Sequence, residues 1–76
     1  MGLKWTDYYF ILNGHKVYNR TYVKELERMY LFDKNNKQIC YIKMSRPKHY
    51  TWRELERDIN NGTISRQNIV FKKYDS

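Results

Sequence analysis

The dipeptide Asn13-Gly14, set between the apolar runs of DYYFILNGHKVYN, constrains the fold more than any other feature of the sequence. A two-residue type I′ turn needs positive φ at both positions, which Asn and Gly accept and most side chains refuse. Its placement predicts a β-hairpin with Leu12 opposite His15, Phe10 opposite Val17 and Tyr8 opposite Asn19. Because strand side chains alternate, Tyr8, Phe10, Leu12 and Val17 fall on a core side. Tyr9, Ile11, Lys16 and Tyr18 fall on the other, which is only half apolar.

A second hairpin is expected in MYLFDKNNKQICYIKM, Met29 to Met44, around the turn-prone run Asp33-Lys34-Asn35-Asn36. A two-residue turn at Asn35-Asn36 sets Leu31 opposite Cys40 and Met29 opposite Ile42, giving one apolar face with Met44. Arg28, Tyr30, Phe32, Ile39, Tyr41 and Lys43 then share the reverse face. A three-residue turn with Asn36 left-handed mixes the faces, and a slip of one residue exchanges them. Between the hairpins, NRTYVKELE (19–27) supports two readings, a short helix capped by Thr21 or a strand.

YTWRELERDINNG carries the signals of a helix. Thr51 and Glu54 form a capping box, and Tyr50 is placed to staple against Leu55. Trp52, Leu55 and Ile59 share one face, and Gly62 supplies a left-handed stop. Before it, Ser45-Arg46-Pro47-Lys48-His49 reads as a basic loop, since proline lacks an amide donor. After it, NIVFKKY (68–74) reads as a last strand with Ile69 and Phe71 on one face and Val70 on the other. Lys72 and Lys73 there suit an exposed edge. The expected fold is α+β, a single domain over 1–76. A small antiparallel sheet of four to five strands, two hairpins plus a C-terminal strand, packs on one helix in the order ββββαβ.

Composition narrows function. Fifteen Lys and Arg against eight Asp and Glu leave a net charge of +7, which biases so short a chain toward polyanions. The soft or imidazole donors are Cys40, His15 and His49 alone, too few for a metal centre, and no glycine-rich phosphate loop is present. Neither a metal nor a cofactor is expected, nor is a small-molecule substrate. Cys40 falls mid-strand on the apolar side and reads as a small buried hydrophobe. No apolar run approaches the roughly 20 residues that span a bilayer, and no export signal is visible, so a cytoplasmic setting without a membrane partner is expected.

The remaining feature is the reverse face of the second hairpin, where rings alternate with cations. Single-stranded nucleic acid binds such surfaces by base stacking and charge neutralisation. The expected function is a basic, non-catalytic binding module that contacts single-stranded or duplex nucleic acid. Its contacts are Arg28, Tyr30, Phe32, Tyr41 and Lys43, extended by Arg46 and Lys48 of the loop, with His49, Arg53 and Arg57 as further positive groups. The alternative is a protein-binding inhibitor or adaptor of the kind phages and mobile elements encode, engaging an acidic surface of a larger host or defence protein. Tyr, Phe and Arg are enriched at such interfaces too, and outward tyrosines also stack across strands merely to stabilise a sheet. A third reading, a metal-free ribonuclease, requires His15 and His49 to converge as base and acid.

Overall fold

The Asn13-Gly14 turn takes the backbone its residues favour, with φ of 54° and 82°. It joins β1 (Phe10–Leu12) to β2 (His15–Val17), pairing Phe10 with Val17 and Leu12 with His15. The computed structural model describes residues 8–72. Tyr8 departs from expectation. It precedes β1, is 37% exposed, and does not pair with Asn19, which instead faces Phe32.

The chain between the hairpins is both strand and turn. β3 (Asn19–Val23) pairs antiparallel with β4 (Arg28–Phe32), and a single 3-10 turn, Lys24–Leu26, joins them. Glu27, at φ 50°, closes that turn, and Thr21 caps nothing, lying mid-strand opposite Tyr30. Tyr18 is the corner where the chain leaves one sheet for the other, its N–H donating to the Phe32 carbonyl at 2.8 Å. Five strands therefore precede the helix. They form two sheets rather than one, β1-β2 and the four-stranded β3-β4-β5-β6. The class is α+β, as the sequence implies.

The second hairpin reaches the expected register by an unexpected route. The turn is the three-residue kind: Lys34, Asn35 and Asn36 separate Asp33 from Lys37, and Asn36 is left-handed at φ 62°. The Asp33 carboxylate fastens it, accepting from Asn35 N at 2.8 Å and Lys37 N at 2.9 Å. A bulge at Ile39 in β5 (Gln38–Lys43) then absorbs the extra step, so Leu31 still faces Cys40 and Met29 faces Ile42. The bulge also moves Ile39 itself. Expected on the reverse face, it is buried with 5% exposure beside Cys40.

Helix α1 (Trp52–Asn60) begins at Thr51, whose hydroxyl accepts from Glu54 N at 3.1 Å, and ends ahead of Gly62 at φ 84°. Leu55 and Ile59 are buried and Trp52 half-buried. Tyr50 joins the same cluster with Leu55, and its hydroxyl donates to buried Asp58 Oδ2 at 2.5 Å. That bond holds the Asp58 carboxyl below its ordinary range. A 3-10 turn, Arg66–Asn68, leads into β6 (Ile69–Phe71), where Ile69 pairs with Ile42, Val70 with Tyr41 and Phe71 with Cys40. Positions 73 and 74 of the expected last strand lie outside the described residues.

The result is two layers. One face of the larger sheet, carrying Met29, Leu31, Cys40, Ile42 and Ile69, is covered by α1 together with the first hairpin through Phe10, Leu12 and Val17. Each large aliphatic side chain so buried contributes about 1.5–3 kcal/mol.

Cys40 lies at the centre of this layer, and burial pushes its thiol from 9.0 up to about 12. The folded chain thus holds that proton more tightly than the unfolded chain does. Its contribution to stability is complete below the unfolded value and is lost as pH rises toward the folded one. Burial raises Tyr50 in the same direction. Urea melts should show the protein losing about 2 kcal/mol between about pH 8 and about pH 10.5 through Cys40 alone. Cys40→Ala should show a shallower decline, and equal declines in the two proteins would refute this role for the thiol.

Candidate nucleic-acid interface

The far face of the four-stranded sheet is covered by no described element. Strand pairing assigns it Asn19, Thr21 and Val23 of β3, Arg28, Tyr30 and Phe32 of β4, Gln38, Tyr41 and Lys43 of β5, and Val70 of β6. None of these is an aspartate or glutamate. Five of the seven sequence-predicted contact residues therefore share one surface, and four of them, Arg28, Tyr30, Phe32 and Tyr41, are half-buried.

At its centre Tyr30 faces Tyr41, with ring centroids 5.5 Å apart and planes tilted by 44°. The Arg28 guanidinium lies 4.3 Å from the Tyr41 centroid and donates to the Tyr30 hydroxyl at 3.4 Å, a bond that raises its pKa further. Arg28 also stands directly opposite Lys43. Like charges across a strand pair are destabilising, a cost that Arg28 offsets in part through its contacts with the two tyrosines. The neighbouring acids are engaged elsewhere. Glu27 accepts from Ser45 Oγ at 2.7 Å, and Asp33 fastens its turn.

The two loop residues are placed differently. Arg46 lies 5.2 Å from the centroid of Tyr22, a residue paired with core Met29 on the helix-facing side. It extends the positive surface around an edge rather than along the aromatic face. Lys48 is exposed in the same loop, and Arg57 pairs with Asp58 at 3.0 Å. His15 lies 6.2 Å from Phe71, whereas His49 stands in the loop before α1 at φ 60°, and no contact joins them.

A second basic and aromatic surface was missed by sequence reasoning. A cleft of about 840 Å³ opens where the first hairpin, β3, the Asp33–Lys37 turn and the start of α1 meet. Tyr8, Tyr18 and Trp52 supply rings, Arg20, Lys34 and Arg53 supply charge, and exposed Asn19 completes the lining. Arg20 is fixed in place: it donates to the Tyr50 carbonyl at 2.6 Å and to the Thr51 carbonyl at 3.3 Å. Its guanidinium lies within 6 Å of both the Tyr50 and Trp52 rings. Burial, and then the nearby Arg46, lowers its pKa. The only signal in the sequence was Tyr18-Asn19-Arg20 itself, which has no periodicity linking it to Trp52.

Among the described residues no group of three or more His, Cys, Asp or Glu is arranged to hold a metal ion. No described helix is long and apolar enough to cross a membrane. No protein-family model, curated protein or solved structure matches the chain, so the reading of these surfaces rests on their own geometry.

Proposed function

We propose that this protein binds a single strand of nucleic acid, without catalysis, on the outer face of its four-stranded sheet. The observation that carries the reading is the Tyr30–Tyr41 pair on an acid-free face, with Arg28 set against Lys43. A stacked base gains about 1–3 kcal/mol on a ring of this kind and needs no sequence-specific partner. Arg28 and Lys43 neutralise phosphates, and their mutual repulsion is relieved when a phosphate comes between them. Arg46 and Lys48 add charge at the edge. A duplex keeps its bases stacked on one another and cannot use the rings in this way.

Salt dependence tests the reading. With two to four phosphates neutralised, log K for a single strand should fall with log salt at a slope between about −1.4 and −2.8. Retention of neither single-stranded DNA nor RNA in mobility-shift assays at low salt would overturn it. That outcome would favour a protein partner. For such a partner the supporting observation is a different surface, the outward side of the first hairpin, where Ile11 is 51% exposed beside exposed Tyr9.

A further inference from the structure

The cleft and the outer sheet face are connected. A smaller hollow of about 370 Å³, lined by Thr21, Phe32 and Asn36, shares Asn19 and Arg20 with the cleft. Phe32 and Thr21 belong to the outer face and Asn19 to both, so the surface runs from Tyr41 and Tyr30 across the β3 edge into the cleft without meeting an acidic lining residue.

The cleft has what a nucleotide requires. Its volume lies within the roughly 300–1,000 Å³ of small-ligand sites. Both rings and cations line it, and Arg20 is already immobilised by two backbone carbonyls, so little further ordering is needed on binding. Among the described residues no carboxylate forms an ion pair with Arg20, Lys34 or Arg53. Of the nearest acids, Glu56 accepts from the Tyr8 hydroxyl at 3.1 Å, and Glu54 lies close enough to Arg20 for its charge to act on the guanidinium without forming an ion pair.

We infer that the cleft is a nucleotide pocket. It receives one nucleotide of the strand crossing the β3 edge, with the base against the Tyr8 and Tyr18 rings and the phosphate toward Arg53 and Lys34. The inference rests on the nucleic-acid reading of the outer face and supplies its end point.

The test is an amide-resonance titration of the full chain with AMP, adenosine and inorganic phosphate. AMP should shift the signals of Tyr18, Asn19, Arg20 and Arg53 and the Trp52 indole, and each half-ligand should shift them far less. Arg53→Gln, at an exposed helix position, and Lys34→Gln, in a turn, should each weaken AMP about tenfold by removing a charge-assisted contact. Lys24→Ala, an exposed cation away from the cleft, should stay within about twofold of the parent protein, below one such contact. Shifts confined to other surfaces, full reproduction of the effect by phosphate alone, or unchanged affinity in both glutamine variants would overturn the pocket. A thymidine strand of about twenty residues, longer than the roughly 4–16 nucleotides a single-strand-binding fold occupies, separates the two ideas. If it moves the Tyr41 signal while AMP leaves the cleft untouched, the pocket alone fails. If neither ligand moves any signal, both readings fail.

Discussion

Replacing Leu55 with alanine should lower the melting temperature by at least about 10 °C and leave much of the chain unfolded at physiological temperature. Leu55 is the fully buried helix residue, at 0% exposure, and it ties α1 to the cluster around Met29, Leu31 and Ile42. Truncating a buried leucine costs about 2–5 kcal/mol, part of it from the cavity left behind. A core of this size rarely supplies more than about 3–5 kcal/mol of net stability. At roughly 4–8 °C per kcal/mol for a small domain, the loss is visible in any thermal melt followed by circular dichroism. Leu26→Ala provides the comparison, because Leu26 is 55% exposed and should leave the melt within about 0.5 kcal/mol of the parent. A Leu55→Ala protein that melts with its parent would mean that the helix is not what closes the core.

The largest effect on binding is expected from Tyr30→Ala combined with Tyr41→Ala. Two stacking platforms at about 1–3 kcal/mol each amount, if fully additive, to a loss of affinity between about thirtyfold and about twenty-thousandfold for single-stranded DNA or RNA. The two losses should not add fully, because the rings touch and Arg28 leans on one while bonding to the other. Removing the ring pair also costs the sheet about 0.5–1.5 kcal/mol of aromatic contact, so the folded fraction must be measured alongside. Tyr30→Phe with Tyr41→Phe keeps the platforms and should retain most of the affinity. Should the alanine pair bind as well as the parent while remaining folded, the outer face is not the contact surface.

The parts of this structure readable in the sequence are those fixed by neighbouring residues. Asn13-Gly14 specifies its turn, and Thr51 with Glu54 specifies a helix start; both do so through bonds spanning at most three residues. The outward placement of Tyr30 and Tyr41 was also legible, because alternation within each strand, over 29–32 and over 40–42, leaves those rings no place in the core. What was not legible depends on distant segments. Tyr18 turns the chain from one sheet to the other with its N–H on the distant Phe32 carbonyl, and Tyr8 sets its ring edge-on to Trp52, far along the chain. The cleft assembles residues from positions 8 to 53 that no periodicity relates, so only the folded chain brings them together.

The bulge at Ile39 separates two properties that a hairpin usually links, the length of its loop and the side of the ribbon on which each residue emerges. With that slack in β5, a one-residue deletion within 34–36 can be absorbed by straightening the strand at Ile39, and Tyr41 keeps its outward aim. The loop can therefore change in length by one residue while the outward side of the ribbon keeps its residues.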